Sequence, residues 1–197
     1  VQRSLIGDQT LAREYEESEI RQGMRPNGSV DPARTNPDYR VLLEGGFADY
    51  RLSVTGLVDR QLSYSLEELR NMPSRTQITR HDCVEGWSCI AKWQGVPLGT
   101  VLKLAQPKLT ARYAVFHCFD AIERGLSGEV FYYESIDLLD AFHPQTILAY
   151  AMNGAPLPVA NGAPLRLRVE RQLGYKMAKY VHGIELTDTL AALGSGK

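Results

Sequence analysis

Short stretches in which apolar and polar residues alternate recur along this chain, and they constrain its fold more than any other feature. YRLSVTGLV at residues 50–58 and TQITRH at residues 76–81 have the two-residue period of half-buried strands. The segments at 113–119, 164–169 and 180–186 are further strand candidates. Because strands outnumber helices and the helices are short, the sequence predicts an α+β fold, mainly β, with mixed sheets.

The helix signals are few and local. Ser65 begins a capping-box pattern, which predicts a short helix that ends near residue 72. The segment 97–105 is a second helix candidate. Ser135 is the predicted cap of a helix that runs through residue 140. Pro144 fits the first turn of another helix, which Gly154 would end.

Residues 1–48 differ from the rest of the chain in their pattern of apolar and polar residues. Within them, the charged segment 11–20 is predicted to form a short surface helix, and a proline-dotted stretch follows it. This part has too little apolar periodicity to fold alone, so we expect an arm that wraps a domain of residues 49–190. Residues 191–197 resemble a tail left by cloning.

Composition narrows the class of partner. The chain has 197 residues with a formal net charge of -1, which gives no indication of binding to nucleic acid or to an anionic membrane surface. No apolar run in the sequence is long enough to span a bilayer. We therefore expect a small-molecule substrate, and no nucleic acid.

The segment RHDCVEGWSC, which contains Cys83 and Cys89, leaves several chemistries open. A free cysteine is most often a small buried hydrophobe. Cys83 is also a candidate nucleophile, for which His81 or His117 would be the base. Zinc is another candidate, bound by histidine and cysteine residues that include Cys118, although their spacing does not match the usual zinc motifs. A softer transition metal is the last candidate, and one thiolate would need further ligands from an organic cofactor.

Basic residues alternate with apolar ones in the segment NGAPLRLRVERQLGYKMAKYV. Arg166, Arg168 and Arg171 come first, and Lys176 and Lys179 follow a glycine. Such a pattern is typical of a solvated strand face, and it also fits a phosphate clamp made of guanidinium forks and exposed backbone N–H groups. Composition alone leaves both interpretations open.

An aromatic and acidic set made of Asp120, Tyr132, Tyr133 and Glu134 is a third candidate. Tyrosines are usually packing residues with a hydrogen-bonded hydroxyl. A tyrosine hydroxyl can also hold a substrate oxygen or relay a proton, and we take Tyr133 as the candidate catalytic tyrosine.

In this order the motifs resemble the sulfite-oxidase-fold molybdopterin oxidoreductases, and in particular their small exported bacterial branch, which includes the periplasmic methionine sulfoxide reductase catalytic subunits. The resemblance is carried by RHDCVEGWSCIAKWQGVPL, YYESIDLLDAF, LAYAMNGAPLPVANGAPLRLRV and GYKMAKYVHGIEL. It covers nearly the whole predicted domain and implies a sulfite-oxidase-type molybdopterin-binding fold.

The resemblance also implies roles for individual residues. Cys83 would be the single protein ligand of molybdenum, and one pyranopterin dithiolene would supply the other sulfur ligands. Arg166 falls at the position that contacts the cofactor phosphate in the family. The other positions expected to bind the cofactor are Asn27, Ser135, Asn161, Gly174, Tyr175, Lys176 and Lys179.

The same resemblance implies a two-electron oxygen-atom transfer. Sulfite-oxidising relatives carry a cluster of arginines for a dianionic substrate, whereas this chain has Asp82 and Glu85 around Cys83, with Arg25 and Arg80 as the nearby arginines. We therefore expect reduction of S-oxides or N-oxides. No C-x-x-C-H haem-attachment motif occurs in the sequence, so electrons are expected from a separate partner, a membrane haem protein or a cytochrome.

Other hypotheses remain open at this stage. One is a sulfite dehydrogenase that passes electrons to a cytochrome. From a different class come a cofactor-free binding module and the zinc site made of histidine and cysteine. The resemblance further implies a monomer in the periplasm, whose signal peptide would be absent from this chain.

Overall fold

The computed structural model describes residues 7, 10–21, 23–125, 128–191 and 193, with the backbone alone for 122–125 and 128–130. Strands dominate the described residues, and the α-helices are short. The strands are β1 (Arg51–Gly56), β2 (Leu62–Ser65), β3 (Arg75–Asp82), β4 (Ser88–Pro97), β5 (Tyr113–Gly125), β6 (Gly128–Asp137), β7 (Thr146–Met152), β8 (Ala155–Pro156), β9 (Arg166–Val169) and β10 (Val181–Thr187). The α-helices are α1 (Pro37–Glu44), α2 (Leu66–Arg70), α3 (Leu98–Ala105) and α4 (Leu138–Ala141).

Two sheets organise these strands. The first has the order β2-β1-β10-β5-β6, in which β1 and β10 are parallel and the other neighbours are antiparallel. The second has the order β3-β4-β7-β8, and β9 also pairs with β7, all antiparallel. The prediction of a mainly β fold with mixed sheets and short helices is confirmed.

Two of the helix predictions are confirmed by their caps and bounds. Ser65 caps α2 through a capping box, in which its side chain accepts from the Glu68 N–H and the Glu68 carboxylate accepts from the Ser65 N–H. The candidate at 97–105 is α3.

Two other helix predictions are wrong. Ser135 lies within β6, and Asp137 caps α4 instead, because its carboxylate accepts from the Asp140 N–H. The helix expected from Pro144 is the strand β7, which pairs with three other strands and is buried along almost its whole length. A continuous apolar run has no period that separates a buried strand from a buried helix.

The N-terminal segment lies along the second sheet. In place of the helix predicted at 11–20, the chain forms one 3-10 turn at Glu17–Glu19. The Tyr15 N–H donates to the Ile78 oxygen at 2.9 Å, and the Arg21 N–H donates to the Ile90 oxygen at 3.0 Å. Because this segment lacks an apolar face, its backbone satisfies its hydrogen bonds on the sheet instead of within a helix.

The apolar core has two parts. The larger one lies around the first sheet and helices α2 and α3, and the smaller one surrounds Trp93 on β4. The Trp93 ring is fully buried, with the guanidinium carbons of Arg168 and Arg166 at 4.3 and 5.1 Å from its centre. The arm packs against the smaller part through Met24. Among the described helices, none has the length and apolar character needed to cross a membrane.

Candidate cofactor site

Cys83 lies at the tip of a hairpin between β3 and β4. The Cys83 N–H donates to the Trp87 oxygen at 2.9 Å, and the Gly86 N–H donates to the Cys83 oxygen at 3.1 Å. Gly86 has a φ of 85°, a conformation that glycine adopts at little cost, so the turn closes tightly. The Trp87 indole N–H donates to the Glu85 carboxylate at 3.0 Å. The hairpin thus holds the Cys83 side chain, which is 8% exposed, in one place.

This hairpin tip forms one wall of a cleft of about 390 Å³, which we call the Cys83 cleft. The arm supplies a second wall with Asn27 and Ser29, and β5 and β6 supply a third with Asp120 and Tyr132. Residues 174–179 close the remaining side. The cleft has the size of a small-molecule or cofactor site.

Gly174 permits a close approach between the last of these segments and the hairpin strand. A Cβ at this position would lie 2.5 Å from both Cε1 and Nε2 of His81, a distance that no side chain tolerates. The predicted cofactor-binding glycine is therefore also a packing requirement, because the fully buried His81 ring occupies the space beside it.

His81 is fixed by a buried network and is not a base for Cys83. Its Nδ1 lies 2.8 Å from the Arg168 guanidinium, which also makes a buried ion pair with Glu170 at 2.8 Å. Burial, and then the charge of Arg168, lowers the pKa of His81 to about 2. The neutral ring accepts at Nδ1, so its proton is on Nε2, which has no partner. The base role considered for His81 finds no support in this geometry.

Two buried cations lie at the cleft, Lys179 in its wall and Arg166 behind Lys179, and no carboxylate of the described residues is hydrogen-bonded to either of them. Arg166 is 1% exposed and donates to the backbone oxygens of Asn161 and Met177. Burial, then the charge of Arg168, lowers the pKa of Arg166 to about 9. Burial, then the charge of Arg166, lowers the pKa of Lys179 to about 8. Buried positive charge of this kind is stabilised by a bound anion such as a phosphate.

The same region contains buried polar atoms that have no hydrogen-bond partner among the described residues. They are Nδ2 of Asn161, Nε of Arg166, Oδ1 of Asp120 and Nε2 of His81. Buried polar groups are normally paired, so such a group in a native protein requires an explanation. The nitrogens of Asn161 and Arg166 are N–H donors that a polar, anionic ligand would satisfy, and with the thiol of Cys83 they suit a molybdopterin cofactor, whose metal is soft and whose tail carries a phosphate.

The arm is tied to the cleft through Lys179 and Tyr180. The Lys179 ammonium donates to the backbone oxygens of Asn27, at 2.7 Å, and of Ser29 and Ala160. The Tyr180 hydroxyl donates to the Ser29 oxygen at 3.0 Å. The predicted residue Asn27 thus lies in the wall of the cleft.

The structure brings together only some of the predicted residues. Those that line the Cys83 cleft are Asn27, Cys83, Gly174, Tyr175 and Lys179. Asn161 and Arg166 lie behind Lys179, since a Cβ on the intervening Gly162 would meet both Lys179 and Arg166.

The other three predicted residues lie elsewhere. Ser135 and Lys176 line a neighbouring cavity of about 240 Å³, where Lys176 donates to the Glu134 carboxylate at 2.7 Å and to the Ser135 backbone oxygen at 3.2 Å. Tyr133 does not line the Cys83 cleft. Its neighbour Tyr132 does, because successive side chains of a strand point to opposite faces.

Sequence reasoning missed the residues whose signal is three-dimensional. Gly28, Ser29, Met177 and Ala178 line the cleft, yet they carry no chemistry of their own that a pattern would reveal. The zinc hypothesis required a cluster of three or more histidine, cysteine or acidic side chains that could hold a metal, and the part of the chain that the structure describes contains none.

Comparison with known proteins agrees with this site. The family model described as the oxidoreductase molybdopterin binding domain matches residues 41–192. Subunit YedZ1 of Azospira oryzae is 43% identical over 142 residues, which is 72% of this chain and 50% of that protein. A protein-methionine-sulfoxide reductase catalytic subunit, MsrP of Gluconobacter oxydans, is 35% identical over 169 residues, 82% of this chain and 52% of that protein. The chain spans about half the length of these relatives.

A solved structure supports the fold. The sulfane dehydrogenase SoxCD from Paracoccus pantotrophus has a TM-score of 0.62 and 23% sequence identity, covering 72% of this chain and 39% of that one. From the family match, the relatives and this shared architecture together, the chain belongs to the molybdopterin-binding oxidoreductases of the sulfite-oxidase fold.

Proposed function

We propose that this chain reduces neutral S-oxides or N-oxides by a two-electron oxygen-atom transfer at a molybdenum cofactor with a single pyranopterin. The catalytic-subunit relatives are named as methionine sulfoxide reductases, which supports an S-oxide as substrate. The observation that carries the proposal is the charge of the Cys83 cleft.

The described side chains of the cleft wall favour a neutral substrate. Its charged members are Glu85, Asp120 and Lys179. The Lys179 ammonium already donates to three backbone oxygens. Of the two arginines considered for sulfite binding, Arg25 is exposed and does not line the cleft, and Arg80 pairs with Asp82 at 2.9 Å. A dianion such as sulfite would face two acids and one lysine whose N–H groups are already bonded to backbone oxygens, whereas a neutral oxide would meet no repulsion.

Residues in the cleft wall and behind it would hold the cofactor. Arg166 and Lys179 would balance its phosphate, and Asn161 would offer an amide that is now without a partner. Cys83 would bind the metal as a thiolate, which coordination favours over the thiol. When bound, the cofactor supplies the change of two electrons that oxygen-atom transfer requires.

The chain's own residues would position and shield the reaction. The hairpin turn fixes the Cys83 backbone, and the Arg168–His81 contact packs the strand that leads to it. The arm covers one side through Asn27 and Ser29, which limits access of water to the site.

The proposal includes a separate electron donor, a membrane haem protein or a cytochrome. It also includes a monomeric state and a periplasmic location. The name of the Gluconobacter relative, a catalytic subunit, is in keeping with a partner that delivers electrons.

The decisive assay compares the two directions of reaction on protein loaded with molybdenum. Reduced viologen would serve as electron donor to dimethyl sulfoxide, methionine sulfoxide and trimethylamine N-oxide, and ferricyanide as acceptor from sulfite. We expect oxide reduction by the wild type and none by Cys83→Ala. If sulfite oxidation were the faster reaction, the chain would be a sulfite dehydrogenase and this proposal would be wrong.

A further inference from the structure

The removal of oxygen from a neutral oxide consumes protons as well as electrons. Each turnover breaks one S–O or N–O bond, takes up two electrons and two protons, and forms one water molecule. The redox partner supplies the electrons and solvent is the source of both protons, so an acid in the cleft wall would speed the reaction by passing one of these protons to the departing oxygen. The identity of that acid rests on the proposed function and is decided by the wall of the Cys83 cleft.

Asp120 is placed for this role by an irregularity in β5. The pairing between β5 and β6 shifts register between His117 and Ala121, and Asp120 lies in that interval. The Asp120 side chain lines the same cleft as Cys83, while the residue is only 8% exposed. Its Oδ1 is buried and has no hydrogen-bond partner within the part of the chain that the structure describes. An unpartnered carboxyl oxygen at such a position is costly to the fold and is therefore expected to serve the site.

The other ionisable groups of the described cleft wall are engaged or exposed. Glu85 accepts from the Trp87 indole and lies in solvent. The Tyr132 hydroxyl donates to the Tyr175 oxygen at 2.9 Å, and burial raises the pKa of Tyr132 far above its usual range. Tyr175 itself is 47% exposed. Lys179 has its N–H groups on backbone oxygens.

The surroundings of Asp120 suit an acid that gives and regains a proton. Burial raises the pKa of its carboxyl to about 6, against the hydrogen bond from its own backbone N–H and the positive charge of Lys179, which both lower it. The carboxyl therefore holds a proton in mildly acidic solution, and the positive charge of Lys179 favours the carboxylate that remains after transfer. The other ionisable groups that interact with it are Tyr39, Cys118, Tyr132 and Tyr180.

We propose that Asp120 is the acid that donates a proton to the oxygen as it leaves the substrate. As two electrons reach the substrate from the loaded site, the S–O or N–O bond breaks, an O–H bond forms with the proton of Asp120, and Asp120 becomes a carboxylate. Solvent supplies the second proton and returns the first to Asp120, and the oxygen departs as water. Asp120 is then a catalytic residue of this chain, in addition to the cysteine at the metal.

Single-turnover reduction of dimethyl sulfoxide by pre-reduced, molybdenum-loaded enzyme tests this role without limitation by electron delivery. The wild-type rate is expected to fall as the pH rises through about 6, because the protonated carboxyl is the active form. Asp120→Asn should lose about 10²-fold or more of the rate at low pH and should lose this pH dependence. Asp120→Glu should restore part of the rate and part of the pH dependence. The Asp59→Asn variant, changed at an exposed position, should behave as the wild type.

Infrared titration gives a readout that does not depend on turnover. The loaded, oxidised wild type should show a protonated carboxyl band that disappears as the pH rises through about 6 and that is missing in Asp120→Asn. A rate expressed per bound molybdenum corrects for any loss of cofactor in the variant.

The outcomes separate the two proposals. If the wild type reduces oxides and Asp120→Asn keeps both its rate and its pH profile, Asp120 is not the acid and the proposed function stands. The absence of the carboxyl band in the wild type would likewise overturn the role of Asp120. If the fully loaded wild type reduces no oxide, the proposed function fails and this inference fails with it.

Discussion

Asp120 should make the folded protein less stable above pH 6, so its replacement by asparagine should stabilise the cofactor-free chain there. The carboxyl is 8% exposed, and burial raises its pKa from 3.8 to about 6. In the unfolded chain the group is solvated and titrates near its usual value. The native state therefore binds more protons than the unfolded state between these two pKa values, and stability falls as the pH rises through this window.

The size of the effect follows from the shift. A difference of about two pH units corresponds to about 3 kcal/mol of unfolding free energy, fully expressed above the native pKa. Asparagine carries no charge, but its amide must also find partners in the same place, which offsets part of the gain. We expect Asp120→Asn to raise the free energy of unfolding by about 1–3 kcal/mol at neutral pH and by little near pH 4.

Urea unfolding of the cofactor-free wild type and of Asp120→Asn, across this pH range, measures the difference directly. Asp59→Asn is the matched control, because Asp59 is exposed and its replacement should leave the free energy of unfolding unchanged. If the stability difference between Asp120→Asn and the wild type did not change with pH, the carboxyl would have an ordinary pKa. The argument from burial would then be refuted.

Three further substitutions test other parts of the site. Gly174→Ala places a Cβ 2.5 Å from the His81 ring, so it should lower the free energy of unfolding by about 1–3 kcal/mol and should also reduce the amount of molybdenum that the protein retains. An unchanged midpoint of urea unfolding would contradict the packing. Lys179→Met removes the donors that hold the arm and should speed limited proteolysis within residues 25–35, whereas equal cleavage rates would show that the arm is held by other contacts. Glu170→Gln leaves the fully buried Arg168 without its charge partner and should cost about 3–5 kcal/mol in urea unfolding, and a loss below 1 kcal/mol would argue against a buried pair.

Local sequence patterns predict much of the fold. Alternation predicted β3, and the capping box at Ser65 predicted α2, because each signal is contained within a few neighbouring residues. The strand β7 was misassigned as a helix because both of its faces are buried, which removes the alternation that marks a strand. The cap of α4 was placed two residues early, on Ser135, because either side chain could act as a cap and only the strand pairing of β6 decides between them.

Less of the site than of the fold could be predicted from the sequence. The basic segment at 166–179 fits both a solvated strand face and a phosphate clamp in the sequence, and the structure buries Arg166, Arg168 and Lys179. The choice of Tyr132 over Tyr133 at the cleft depends on which face of β6 each side chain occupies, and the sequence alone does not fix that face. The unpaired oxygen of Asp120 depends on a register shift between two strands, which leaves no trace in the local pattern.

The most direct test of the whole account is the molybdenum and pterin content of the wild type and of Cys83→Ala, both purified from a host that makes the cofactor. The account predicts about one molybdenum and one pterin per wild-type chain, and loss of the metal in the variant with its circular dichroism unchanged. Wild-type protein that contains neither molybdenum nor pterin would contradict it, and so would a Cys83→Ala variant that keeps its full molybdenum content.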